Sequence, residues 1–138
     1  MNRKSIRKLP LLNKSSLIWT VAAVYGLTAV ALGALGQHLF GLESGTHEAA
    51  LFQHAYTYQL IHALLLIWIA TQLESGFWVR SAAVVISIGV LLFCGGIYLL
   101  VFAGKTAISW VTPIGGSLII LGWLNLVIHG FQKLFKKG

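Results

Sequence analysis

Charge is so sparse in this chain that its spacing dictates the fold. Ten basic and three acidic residues divide 138 positions into four uncharged runs: Ser15 to Leu42, Ala49 to Leu73, Ser81 to Gly104 and Thr106 to Gln132. Each run holds 24 to 28 residues, and a helix crossing a bilayer needs about 20. Charged residues make up 9% of the chain and apolar ones 57%, against the roughly 25% charge of soluble domains. The sequence therefore predicts an all-α membrane protein, a bundle of four transmembrane helices over about 17–39, 49–72, 78–103 and 108–131 within a 17–132 domain. Basic tails, 1–16 and 133–138, flank it.

The net charge of +7 does not point to nucleic acid, because of where the charges stand. Arg3, Lys4, Arg7, Lys8 and Lys14 precede the first run, and Lys133, Lys136 and Lys137 follow the last. With Arg80 they lie on one side of a four-span protein, and Lys105 alone lies on the other. Basic residues favour the cytoplasmic side, so both termini are expected inside a bacterial inner membrane. Trp19, Trp68 and Trp78 then form the inner aromatic belt and Trp110 belongs to the outer one. The first run reads as an uncleaved helix rather than a signal peptide, since its small residues continue to Gly36. The single Cys94 excludes an internal disulfide.

The second run is the polar one. At about 100° per residue His54, Tyr58, Gln59 and His62 lie within roughly 140° of one another on a helix, and lipid cannot satisfy them. That side must face protein or a small wet cavity, and helices one, three and four are expected to close around it. Counted from the helix ends, His38, His54, Tyr58, Tyr98 and Thr112 fall in the outer half, with His62 and Cys94 near the middle. These eight residues, Gln59 included, form the candidate intramembrane cluster. It reads either as a shallow outward-facing pocket or as a hydrogen-bond network that fixes helix register, and the network is favoured.

Close helix packing is expected at Gly26, Gly33, Gly36, Gly95, Gly96, Gly115, Gly116 and Gly122. Pro113 is tolerated near a helix start, where its missing N–H has no partner to lose. In helix one Ala22, Gly26, Ala29 and Gly33 share a narrow arc, the kind of small-residue stripe that lets another backbone approach.

Five stretches carry a resemblance: GALGQH from Gly33, YQLIHA from Tyr58, FCGGIY from Phe93, TPIGG from Thr112, and Gly122-Trp123. In this order across four spans they resemble the YgdD-like family of small bacterial inner-membrane proteins, which also has eukaryotic membrane relatives. The resemblance implies four membrane helices and an inner-membrane address, and carries no reaction with it. Gln37 and Leu39 around His38, and Cys94 and Gly96 in helix three, depart from the family pattern, which has small hydroxyl residues at the latter two positions.

No metal or cofactor is expected. His54 and His62 stand eight residues apart, about 12 Å along a helix axis, whereas ligands of one zinc lie ~2 Å from it. His38 with His54, or His62 with Cys94, supplies only two ligands. Glu43, Glu48 and Glu74 sit at helix ends, so mid-membrane there is no carboxylate of the sort that couples protons to transport. No internal repeat aligns the two helix pairs. Phosphate loops, paired carboxylates and nucleophilic triads are absent from the sequence, so no enzyme is expected. The leading expectation is a non-enzymatic accessory or scaffold protein of a membrane complex, its partners being lipid and either another membrane protein or a second copy. The alternative is a small-solute or metal transporter using the His54, Tyr58, His62 and Cys94 region.

Overall fold

The computed structural model describes residues 13–39, 41–42, 45–104 and 110–135, and within 37–39 the backbone alone. Four helices follow one another: α1 (Lys14–Leu39), α2 (His47–Thr71), α3 (Phe77–Ala103) and α4 (Val111–Phe135). Their 25 to 27 residues give about 37 to 40 Å each, more than a ~30 Å hydrocarbon core requires. Charged residues bound the apolar runs without ending the helices: α1 begins on Lys14 and α4 continues through Lys133 to Phe135. Lysine is a good helix former, and its long stem carries the ammonium to the interface. Helices α1, α3 and α4 are long and apolar enough to cross a membrane; α2 carries too many polar residues to meet that criterion.

Local chemistry sets the helix ends. The Thr46 hydroxyl accepts the Ala49 N–H at 3.2 Å, and Glu48 in the first turn of α2 complements the helix dipole. Between α2 and α3 the chain makes one 3-10 turn, Leu73–Ser75, then passes Gly76 at φ +141°, a conformation that favours glycine. The Arg80 Nε–H donates to the Leu73 carbonyl at 3.0 Å, satisfying an acceptor the turn leaves open. Gly104, left-handed at φ +57°, ends α3 as its N–H donates to Leu100.

Neighbours in sequence are antiparallel neighbours in space. The small-residue stripe of α1 lies on α2: a Cβ on Gly33 would stand 3.3 Å from the Tyr56 ring, one on Gly26 3.8 Å from Ala63, and one on Gly36 inside the Phe52 ring. At the inner end the Ser15 hydroxyl donates to the Ala70 carbonyl at 2.9 Å. α2 then packs on α3, around the fully buried Leu66, Ile69, Val79, Ile86 and Val90.

The contact between α3 and α4 is the closest. A Cβ on Gly89 would meet Ile119 at 2.9 Å and the Gly115 carbonyl at 3.0 Å, and one on Gly96 would meet the Thr112 hydroxyl at 2.5 Å. A Cβ on Gly115 would strike the Phe93 backbone nitrogen, and one on Gly122 the Ile86 side chain. Gly116 lies beside the Phe93 ring at 3.5 Å, whereas Gly95 faces open space. Pro113 occupies the third position of α4 and is exposed. Asn125 Nδ2 donates to the Ser81 hydroxyl at 2.9 Å and ties the inner ends of the pair.

The arrangement corrects one expectation. Helices one, three and four do not close symmetrically around α2: α4 is seated on α3, and α1 meets α3 only sparingly. The reason is backbone proximity. Glycines on both α3 and α4 let those two axes approach further than the side chains of α2 allow, and packing then follows the smallest separation. The outward faces of α1 and α4 are largely apolar, as on Leu27 and Ile120, 71% and 69% exposed.

Gly115→Ala is expected to destabilise the bundle by about 2 kcal/mol or more, because its methyl meets backbone that cannot rotate away. Gly95→Ala should be neutral or slightly stabilising, given the better helix propensity of alanine. Unfolding of both variants in mixed micelles checks the contrast.

Candidate functional site

The inward side of α2 repeats at three and four residues: Phe52, Ala55, Gln59, His62, Ala63, Leu66, Ile69 and Ala70 are buried. Two of them are polar, and each stands at the centre of its own arrangement.

Gln59, 5% exposed, is the node of the first. Its Nε2 donates to the Tyr25 carbonyl at 2.9 Å and to the Thr28 hydroxyl at 2.6 Å. Its Oε1 accepts from the Tyr98 hydroxyl at 2.9 Å. Both amide hydrogens are therefore used, and the orientation of the carboxamide is fixed, since the flipped group would set its oxygen against the Tyr25 carbonyl. The Tyr25 hydroxyl in turn donates to the Ser87 carbonyl at 2.7 Å. Three helices are thus joined by one connected set of bonds. Beside it a groove of about 340 Å³ opens between α1 and α3, lined by Tyr25, Thr28, Gln59, Cys94, Gly95 and Tyr98 among others.

The second arrangement belongs to His62, 4% exposed. Its Nδ1 bonds the Tyr58 carbonyl at 2.7 Å, and its Nε2 faces the Trp123 indole N–H at 3.3 Å. A carbonyl only accepts and an indole only donates. The neutral imidazole with its proton on Nδ1 satisfies both, so no nitrogen is left for a metal. The Tyr58 ring stacks on His62 at 5.9 Å between centroids and meets Phe93 at 5.4 Å.

Further out, His54 Nδ1 bonds the Ala50 carbonyl at 2.6 Å, leaving its Nε2 facing outward on an exposed side chain. His54, Tyr58, Phe93, Ile97, Thr112 and Pro113 line a second groove, of about 410 Å³, between α2, α3 and α4.

The eight residues singled out in the sequence therefore do not form one cluster. Gln59, Cys94 and Tyr98 belong to the α1–α3 groove; His54, Tyr58 and Thr112 belong to the α2–α4 groove, with His62 behind them. The side chain of His38 lies outside the described residues. Gln59 stands roughly 140° from His54 around the helix, and α3 sits between the two directions, so that the residues fall on opposite flanks of the α2–α3 contact. Both ring nitrogens of His62 are bonded to Tyr58 and Trp123, so its two-ligand pairing with Cys94 has no free imidazole nitrogen behind it. Among the described residues no three of His, Cys, Asp and Glu come together where they could hold a metal. Tyr25 and Thr28 escaped the sequence reading, although both interrupt an otherwise apolar run three residues apart and so share a face.

Residues 32–116 match a family described as "Protein of unknown function (DUF423)". The chain is 34% identical to a UPF0382 membrane protein of Haemophilus influenzae, over 83% of this chain and 93% of that one. It is 32% identical to the UPF0382 inner membrane protein YgdD of Escherichia coli K12, over 85% and 90% of the two chains. A UPF0382 membrane protein of Staphylococcus epidermidis is 36% identical over 78% and 89%. No solved structure matches. The segment matched to the family holds Gln59, His62, Cys94, Tyr98 and Thr112, while Tyr25, Thr28 and Trp123 lie outside it.

A double-mutant cycle of Gln59→Leu with Tyr98→Phe is expected to give a coupling of about 0.6 to 1.7 kcal/mol in unfolding, the range of interhelical hydrogen bonds in a bilayer. Tyr58→Phe should change stability much less, because the Tyr58 hydroxyl has no hydrogen bond among the described residues.

Proposed function

Since the chain belongs to the DUF423 family of small membrane proteins, whose description carries no reaction, we propose that it is a non-enzymatic accessory or scaffold protein of a larger inner-membrane complex. The observation behind this reading is that the two buried polar side chains of α2 are already paired with groups of this chain. Gln59 spends its amide hydrogens on α1, and both nitrogens of His62 are occupied. Groups saturated in this way hold helices in register; they are not free to turn over a substrate. Loops add little: α2 and α3 are joined by five residues, 72–76.

The same reading places all four helices across the inner membrane with both termini cytoplasmic. α1 and α3 are apolar enough to span, and α2 runs antiparallel between them for 25 residues, so it must cross to connect them. Its Gln59 and His62 are covered by protein, which removes the main cost of their passage. The basic residues at both ends of the chain favour the cytoplasmic side for the termini. An inner-membrane address accords with the printed name of the Escherichia coli relative.

A second reading, small-solute or metal transport, draws on one observation: His54 and Tyr58 present to the α2–α4 groove polar atoms that have no hydrogen bond among the described residues. Under that reading His54→Ala changes binding or uptake at unchanged abundance.

Extraction in mild detergent at native expression level should yield a complex holding a stoichiometric second membrane polypeptide, identifiable by mass spectrometry. Particles composed of this chain alone would sink the accessory role. His62→Ala is expected to lower abundance and midpoint of unfolding, by about 1 to 3 kcal/mol, because it strands the Trp123 N–H. The purified protein should be colourless and free of stoichiometric metal; a bound metal or haem would instead favour a binding protein.

A further inference from the structure

On the side of α2 turned away from α1 and α3, Thr57, Ile61, Leu64 and Trp68 stand exposed, and the face is continued outward by the exposed Ala50 and Gln53, which also border a cavity of about 270 Å³ with Leu42, Gly45 and Thr46. These α2 residues recur at spacings of three and four and lie within about 80° of one another around the helix. The inner half of this face suits lipid: Ile61, Leu64 and Trp68 are 51%, 62% and 52% exposed. The outer half does not.

Gln53 lies about 9 Å and Thr57 about 15 Å along the axis from the start of α2. A helix of 25 residues overhangs a ~30 Å hydrocarbon core by only about 4 Å at each end, so both side chains are inside it. Five other hydroxyls in the spans satisfy themselves: Thr20, Thr28, Thr71, Ser87 and Ser117 each donate to a carbonyl three or four residues back. Thr57 and the Gln53 carboxamide have no hydrogen bond among the described residues. Lipid chains offer them neither donor nor acceptor.

We infer that this face of α2 packs against the same face of a second copy of the chain, forming a parallel two-helix seam about a two-fold axis along the membrane normal. Across such an axis each residue meets its own counterpart, so the face must complement itself. This one does. A glutamine carboxamide and a threonine hydroxyl each carry both a donor and an acceptor, so Gln53 and Thr57 pair with their own copies. No charge opposes its twin: Glu48 lies on a different side of α2 from the seam. Ala50 and Thr57, small and seven residues apart, let the two axes come close at the level of the polar groups. The seam leaves the Gln59 and His62 arrangements untouched, and it does not depend on the accessory role, since a dimer is available to a scaffold and to a transporter alike.

Cys94 is the chain's one cysteine and is buried; in full-length protein carrying Cys94→Ala, single cysteines at Thr57, Ile61, Leu27 and Ile120 are oxidised in native membranes. The dimer band should be at least fivefold stronger for Thr57→Cys and Ile61→Cys than for Leu27→Cys and Ile120→Cys on the exposed faces of α1 and α4. Equal yields at all four positions, the strongest yield on α1 or α4, or linkage of Ile61→Cys only to a different polypeptide would each overturn the seam. Adding Gln53→Leu and Thr57→Leu to Ile61→Cys should cut its cross-linking severalfold at unchanged abundance and helical content. An undiminished yield in that variant, with abundance preserved, would overturn the role given to the polar pair.

Discussion

A carboxamide in the middle of a bilayer must find its partners in protein, and the rest of this molecule is placed to supply them. Gln59 draws the carbonyl of Tyr25 and the hydroxyl of Thr28 from one neighbour and the hydroxyl of Tyr98 from the other. Apolar packing alone orients transmembrane helices weakly, because lipid tails compete on equal terms with side chains. A glutamine with three directional bonds does not slide or rotate freely. Those bonds act with the packing of Phe52 and Tyr56 on the α1 glycines to hold α2 in the rotation that places His62 against Trp123.

The α3–α4 pair obeys a different rule. Here polar bonds are few and backbone proximity dominates, with Gly89, Gly96, Gly115 and Gly122 at the points of closest approach. The bundle therefore combines a polar lock on one side of α3 with a glycine seam on the other. Each solves the same difficulty, the absence of a water-driven force between helices in lipid, by a separate means. The two also differ in tolerance: a seam fails on adding one methyl, a lock on losing one hydrogen-bonding atom.

The helices themselves were plain in the spacing of charge, because a span must be long and uncharged whatever its neighbours do. Side-to-side order was not. The stripe of α1 and the glycines of α4 announced close contacts without naming the partner, since a small residue records only that something approaches. Gly95 illustrates the ambiguity: it adjoins Gly96 in sequence, yet it faces open space while its neighbour meets Thr112. The polar residues were visible individually, and their division between two grooves required knowing where α3 lies. Tyr25 and Thr28 were overlooked because a lone tyrosine or threonine in an apolar run is unremarkable until the group it bonds is known.

The connection between α2 and α3 bears on how the protein enters its membrane. α2 is the least apolar of the four helices, and α1 precedes it with the groups that accept the Gln59 amide hydrogens. Departure of α2 from a ribosome-bound channel into lipid ahead of α3 would nevertheless leave the Gln59 Oε1 without its donor. Yet only the turn around Leu73–Ser75, held by Arg80, separates it from α3, the helix of highest hydropathy among the three that qualify as spans. The two are thereby delivered as a hairpin, in which the second limb supplies both the hydrophobic drive and the Tyr98 hydroxyl that the first limb lacks. Biogenesis of this chain thus places a premium on retaining α2 until α3 has been synthesised.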